Sequence, residues 1–365
     1  MKSNNQQKND DTKSLASSSS EAYTKNKSKN HAAPLVAGFM GGAVSTVLLY
    51  PLDLVKVRLQ VSEAGGRRST QALSQNTIPR RKFVRTLFGI IKHEGGAALY
   101  QGLMPGLVGS SVSWGGYFFF YEKIKHEVYL RRNHNDTSTP LSSWETFGVS
   151  CLAGGIMVGF TNPIWLIKTR MQLQPRLKSQ DLAVQVSTRQ YTGMIDAAKT
   201  IVAEEGALAL YKGAVPALLL TSHGGVQFVC YEYLKTWFGE YKKTTRPKGQ
   251  SITISQRLHD SCGYLTMGAV SKIMASTSTY PIQVIKSRLQ QRSKGFELVE
   301  HSSTGKLQVI STEHTYKGVL DCIKRILVNE GPAGFFKGCL PNALRVAPSS
   351  AITFVTYEAI MDAFT

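Results

Sequence analysis

Acidic residues are scarce in this chain, and long runs of it carry no charge at all. Lys and Arg number 43 against 24 Asp and Glu, a formal charge of +19 over 365 residues. Positions 32–52 and 146–167 contain no charged residue, and each run is long enough to cross a bilayer. More interrupted apolar stretches lie at 103–121, 213–231, 261–285 and 338–357, so six spans are predicted. The mean hydropathy of −0.13 conceals them, because polar residues collect in the first thirty positions and in a few loops. A basic excess of this kind solvates loops, and it also suits a chain facing anionic lipid and an anionic solute.

Other absences narrow the function classes. Cys151, Cys230, Cys262, Cys322 and Cys339 form no Cys-x-x-Cys pair and no metal-ligand spacing, so neither a disulfide framework nor a metal site is expected. No nucleophile–base set, His-Glu-x-x-His, Walker loop or dinucleotide-binding glycine pattern occurs in a suitable context, and the chain is not predicted to be an enzyme. No nucleic-acid partner and no bound cofactor are expected. Residues 1–32 are rich in Ser, Asn and Lys without an apolar signal stretch, which predicts a disordered tail.

What the chain does have is one motif written three times. Pro51-Leu52-Asp53-Leu54-Val55-Lys56-Val57-Arg58-Leu59-Gln60 returns as Pro163 to Gln172 and as Pro281 to Gln290. Each copy keeps Pro, Lys five places on, Arg at seven and Gln at nine, and each closes an apolar run. A Glu-Gly pair follows at 94, 205 and 330, always six residues before an aromatic-x-Gly turn at Tyr100, Tyr211 and Phe336. The second apolar stretch of each copy ends in Tyr121-Glu122, Tyr231-Glu232 or Tyr357-Glu358. Three tandem repeats are therefore expected, at 33–130, 143–240 and 257–363. Within them Pro51, Pro163 and Pro281 should kink the first helix. Gly38 and Gly42 are spaced for close helix approach. A polar loop, 61–80, precedes an amphipathic piece at 81–93 that puts Phe83, Leu87, Ile90 and Ile91 on one side. Segments 173–190 and 291–315 read as further loops.

On these residues the chain resembles the mitochondrial carrier family, and the resemblance covers roughly 33–363. It implies an all-α membrane protein of six transmembrane helices with pseudo-threefold symmetry and short matrix helices. It further implies a multi-pass monomer in the mitochondrial inner membrane with a cavity that opens alternately to the two sides, both termini facing the intermembrane space. Ser113-Trp114-Gly115, Asn162-Pro163-Ile164-Trp165, Ser222-His223-Gly224, Val270-Ser271-Lys272 and Tyr280-Pro281-Ile282-Gln283 resemble the branch that carries FAD or folate. Trp165 alone is shared with branches similar to pyrimidine-nucleotide and NAD carriers. A carrier-like scaffold that no longer transports is the reading from another class.

The family pattern places Asp53, Lys56, Lys168 and Lys286 in a matrix gate, with Gln60, Gln172 and Gln290 beneath it. Trp165 and Gln283 stand where two acids belong, which leaves Asp53–Lys168 as the one intact ion pair; Trp165 could compensate by apolar or cation–π packing, or serve as an interface anchor. At the cytoplasmic gate Glu122 could pair with Lys235 and Glu358 with Lys125, while Met361 removes a base from the reach of Glu232. Lys272, three turns above Gln283, points into the cavity by helical spacing, and a lysine inside an apolar span is functional by default. Counting from Glu122 and Glu232 likewise reaches Ser111 and Thr221. Arg345 is the candidate anion anchor by resemblance, with a helix-end lipid contact as its alternative. Trp114 could stack on a ring system or pack in a core, and Gly109, Leu219 and Leu220 complete the candidate solute site. His223 is taken for a packing or hydrogen-bonding residue. The turns at Gly102, Gly193, Gly213, Gly318 and Gly338 precede helix starts suited to lipid phosphate, and in this family they look like cardiolipin sites.

Overall fold

A computed structural model of the chain describes residues 32–62, 79–133, 141–174, 190–245, 254–292, 294–300, 307–313 and 316–364. All but the last residue of the tail expected at 1–32, and most of the loops at 61–80 and 173–190, lie outside them. The described chain divides into two compact units, one spanning Leu49–Ala347 and the other made of the segments up to Leu48 and from Pro348 on.

Helices dominate. Repeat 1 holds α1 (Ala32–Val61), α2 (Pro79–His93) and α3 (Leu103–Asn133). Repeat 2 holds α4 (Ser143–Leu173), α5 (Met194–Glu205), α6 (Ala214–Leu219) and α7 (His223–Thr245), and repeat 3 holds α8 (Ile254–Ser278), α9 (Tyr280–Gln290), α10 (Val319–Glu330) and α11 (Cys339–Phe364). Among the described residues three segments are long and apolar enough to cross a membrane, Ala37–Val61, Trp144–Leu173 and Ala207–Phe238.

The larger unit is built on one local pattern used three times. Each signature helix buries two adjacent apolar residues against the short helix that follows: Leu54 and Val55 on Phe83 and Ile90, Leu166 and Ile167 on Ala197 and Ile201, Val284 and Ile285 on Cys322 and Ile326. The Glu-Gly pair is the stop signal of the short helix. Gly206 and Gly331 take φ of 84° and 67° at the ends of α5 and α10, a conformation that costs glycine nothing. A 3₁₀ turn then leads to the second long helix.

Several expectations need correction. Ile91 is exposed, so the buried stripe of α2 is Phe83, Leu87 and Ile90. The helix continues through Pro51 and Pro163, which the expected kinks at these prolines allow. Only before Pro281 does it break, at Thr279, whose hydroxyl is held by Ala275 O (2.9 Å) and lies 3.0 Å from His223 Nδ1. Repeat 2 has its own break, a 3₁₀ turn at Leu220–Ser222 between α6 and α7. The 291–315 loop contains an antiparallel hairpin, β1 (Lys294–Glu300) with β2 (Leu307–Glu313), registered from Lys294 opposite Glu313 to Glu300 opposite Leu307. The fold is therefore helical with one two-stranded addition.

In the smaller unit the close approach falls at Gly41 rather than at Gly38 or Gly42. A Cβ on Gly41 would lie 2.9 Å from Thr353 O, whereas nothing lies within 4 Å of one on the other two. One turn further on, Ser45 Oγ donates to Ser349 O at 3.2 Å.

Candidate functional site

The three signature helices meet around a cavity of about 290 Å³, lined by Asp53, Lys56, Trp165, Lys168, Gln283 and Lys286 among others. Three links join the repeats here in a closed circuit. Lys168 Nζ donates to Asp53 Oδ2 at 2.8 Å, joining repeats 1 and 2. Lys286 Nζ lies 6.0 Å from the centroid of the Trp165 ring, joining repeats 2 and 3. Lys56 Nζ donates to Gln283 Oε1 at 3.0 Å, joining repeats 3 and 1. One ion pair, one cation–π contact and one hydrogen bond to a neutral amide thus occupy three equivalent positions. Trp165 also faces Lys168, at 5.3 Å, so its ring lies between two ammonium groups.

Beneath this circuit runs a second one. Arg58 Nε donates to Gln172 O (3.0 Å), Arg170 Nε to Gln290 O (3.2 Å), and Arg288 Nε to Gln60 O (3.0 Å). Each arginine therefore reaches the next repeat, and the third returns to the first. The rest of each guanidinium holds the glutamate of its own Glu-Gly pair: Arg58 holds Glu94, Arg170 holds Glu205 at 2.6 and 2.9 Å, and Arg288 holds Glu330 at 2.7 Å. Lys212 and Lys337 add to the second and third pairs at 2.6 and 2.8 Å; in repeat 1 the neutral Gln101 holds the equivalent position. Burial alone would raise the carboxyl of Glu205, but Arg170 and Lys212 hold it down to about 2. Glu330 is likewise lowered by Arg288 and Lys337 against its burial.

The glutamines fill the space between the circuits. Gln172 Nε2 donates to Tyr50 Oη and Asp53 Oδ2 (3.1 and 3.2 Å), Gln290 Oε1 accepts from Thr169 (3.0 Å), and Gln60 Oε1 accepts from Ser287 (2.8 Å). Gly102, Gly213 and Gly338 rest on these helices with φ of 78–82°. A Cβ at Gly338 would lie 2.9 Å from Lys56 O and from Tyr280 Oη, so backbone conformation and contact both demand glycine there.

The candidate solute residues are scattered over several surroundings. Leu220 and His223 line the cavity at the ring. Arg345 stands beside it, with Nε 3.9 Å from Asp53 Oδ1, so one carboxylate faces two cations. Lys272 feels the charge of Arg345, but the break at Thr279 lies between it and Gln283, and a straight wheel does not carry that count. Gly109 packs under Ile164 and the Trp165 ring, 3.2 and 3.6 Å from where its Cβ would be, and is an interhelical contact. Thr221 packs over Gly154 and donates to Leu218 O, and Leu219 is exposed. Ser111 donates back to Leu107 O. Trp114, 66% exposed, stacks on Phe118 at 6.0 Å.

At the other end, Glu122 and Lys235 each pair within their own helix among the described residues. Lys125 pairs with Glu122 of its own helix at 3.7 Å and Lys235 with Glu232 of its own at 3.4 Å. A long lysine at a helix surface reaches an acid three residues away more readily than one on another helix. The Glu358 and Met361 side chains lie outside the described residues. Tyr121 gives its ring to Lys125, while for Tyr231 and Tyr357 only an intermediate degree of burial is seen. Gly193 and Gly318 are extended and precede α5 and α10, whose first-turn acids, Asp196 and Asp321, accept the amides of Thr192 and Lys317 at 3.0 Å.

The arginine circuit escaped the sequence reading although its signals were visible. The Arg at place seven and the Glu-Gly pair recur at fixed places in all three copies, and an opposite-charge pair repeated three times is a contact in waiting. Its carbonyl acceptors leave no trace in a sequence.

A sequence model described as mitochondrial carrier protein matches residues 27–132, 139–242 and 259–365. The chain is 37% identical over 325 residues to folate transporter 1, chloroplastic, of Arabidopsis thaliana, covering 89% of this chain and 93% of that one. It is 36% identical over 330 residues to mitochondrial substrate carrier family protein M of Dictyostelium discoideum, covering 90% and 94%. With nicotinamide adenine dinucleotide transporter 1, chloroplastic, of Arabidopsis thaliana the identity is 32% over 333 residues, covering 91% and 92%.

Proposed function

The chain belongs to the mitochondrial carrier family, and on that premise we propose that it moves FAD or a folate across the mitochondrial inner membrane by alternating access. Membership makes it a solute transporter held in a membrane, and not an enzyme. The narrower reading is carried by the charge around the cavity, where three lysines meet one aspartate and Arg345 adds a further cation. Such an excess in a confined, poorly hydrated place draws an acidic solute. Trp114 and Phe118, stacked on each other and open to the surroundings, offer a face for a fused ring system. Arg345 and Lys272 engage acidic groups of the solute.

Alternating access is supported by the contrast between the two ends. The signature end is linked from repeat to repeat, while Lys125 and Lys235 hold to their own helices at the other. On this reading six helices cross the bilayer with threefold pseudo-symmetry, the chain works as a monomer, and cardiolipin phosphate sits at the helix starts after Gly102, Gly193, Gly213, Gly318 and Gly338. A scaffold without transport has no use for a circuit that can open. An NAD reading has one support, the 32% identity to a nicotinamide adenine dinucleotide transporter.

Liposomes containing the purified protein test the assignment with FAD, FMN, riboflavin, tetrahydrofolate, NAD and pyrimidine nucleotides. Uptake of FAD or tetrahydrofolate is expected. Uptake confined to NAD or pyrimidine nucleotides would overturn the flavin and folate reading, and uptake of nothing would favour the scaffold.

A further inference from the structure

We propose that an acidic group of the solute itself completes the lysine ring, seated between Lys286 and Lys56 where Trp165 and Gln283 replace the two missing acids. This rests on the carrier reading and names where, within the cavity, the solute's charge is held.

The three latch positions are not alike in what they can give up. Lys168 is committed to Asp53 at 2.8 Å, and drawing it away would leave that carboxylate only the more distant Arg345, at 3.9 Å, as a cation. Lys56 is held by the neutral amide of Gln283 at 3.0 Å, so it can turn to an anion and leave no charge unpaired. Lys286 has the weakest tie. Its contact across the repeats is the Trp165 ring, 6.0 Å away, and that ring is shared with Lys168 at 5.3 Å. An ammonium in a poorly hydrated site is costly without an anion beside it. The remaining lining of the cavity is polar. Gln290, 2% exposed, lines it with an amide Nε2 that has no hydrogen-bond partner among the described residues. Ser287 and Thr169 line it too.

The lining decides which part of the solute enters. The cavity, about 290 Å³, has room for a carboxylate or phosphate and is lined by lysines and amides that match one. It therefore takes the acidic end, with the ring system left above it. The shared chemistry is an oxyanion, and the two sources differ: a phosphate in FMN or FAD, a glutamyl carboxylate in folate.

The test is ligand-dependent thermal unfolding of the purified full chain, titrated with FMN, riboflavin, folate and folate dimethyl ester. In the wild type FMN or folate should raise the unfolding temperature, while riboflavin and the ester should not. Gln283→Glu supplies one missing acid. The ligand-free variant should then melt higher, and its dissociation constant for the acidic ligand should rise at least about tenfold, the expected effect of one lost charge pairing in such a site. Lys286→Gln should weaken binding similarly. Gln283→Met removes the amide that holds Lys56 without adding charge and should not weaken binding of the acidic ligand, whereas Gln283→Glu should, which separates a charge effect from a packing effect. If the wild type binds the acidic ligands and Gln283→Glu and Lys286→Gln bind them equally well, the seat is wrong and the carrier reading stands. If the wild type responds to no acidic ligand, the solute assignment falls and this inference falls with it.

Discussion

Replacing Arg170 with Leu should cost about 3 kcal/mol of stability, and the same change at Arg58 should cost about 5 kcal/mol. The Arg170 side chain is fully buried, gives Glu205 two bonds at 2.6 and 2.9 Å, and gives Gln290 O a third at 3.2 Å. Removing one member of a buried pair leaves the other's charge desolvated, which is the expensive way to break it. Glu205 would keep Lys212 at 2.6 Å, a side chain 39% exposed, so the loss falls at the low end. In repeat 1 the equivalent of Lys212 is the neutral Gln101, and the Glu94 side chain is only 3% exposed, so the loss there is larger. Tryptophan fluorescence during heating of the purified protein gives the readout. At roughly 2 °C per kcal/mol for a chain of this size, the variants should melt about 6 and 10 °C below the parent. Arg170→Leu combined with Glu205→Leu should recover part of the loss, since the buried carboxylate is gone and the Lys212 side chain that remains is partly exposed. Melting of Arg170→Leu within about 2 °C of the parent, or a milder effect at Arg58, would refute the reasoning.

Gly338→Ala should lower stability by about 2–3 kcal/mol, from a left-handed alanine plus crowding against Lys56 O, and circular dichroism during heating would measure it. Gly41→Val should disturb the packing on Thr353, whereas Gly38→Ala should be neutral within about 0.5 kcal/mol, so a reversed ranking in the same assay would contradict the helix facing described above. Acid should destabilise the protein through Glu205. Its carboxyl sits at about 2 in the fold against an ordinary 4.5, so its contribution is complete above pH 4.5 and is lost as pH falls from there through 2. Glu205→Gln should show a shallower fall in unfolding temperature across that window than the wild type.

Much of this was legible because it is repeated. Three copies of Pro-x-x-x-x-Lys-x-Arg-x-Gln fix where the signature helices end, and the family resemblance they carry put Asp53 with Lys168 and set Trp165 and Gln283 apart as departures. The Trp165 cation–π contact could be anticipated from its lysine-rich surroundings. What could not be read depends on the third dimension or on conformational state. Which of Gly38, Gly41 and Gly42 meets another helix is decided by the rotation of α1 about its axis, and all three fit the same sequence pattern. Lys125 and Lys235 have acids within reach on their own helices and, by the family pattern, on others, and the sequence does not rank these partners. The hairpin at 294–313 has too little alternation to stand out from a polar loop, with Gly295 and two glutamates inside β1.

The arginine circuit has no first member. Because Arg58, Arg170 and Arg288 each reach onward and the last closes on the first, peptide connectivity between repeats adds nothing to the circuit itself. A circularly permuted chain that begins with repeat 2 and joins the old termini through a flexible linker could close the same three bonds. Opening is the other side of that topology. Once a single link parts, the remaining two form an open row with ends, and each end is less constrained than any member of the intact loop.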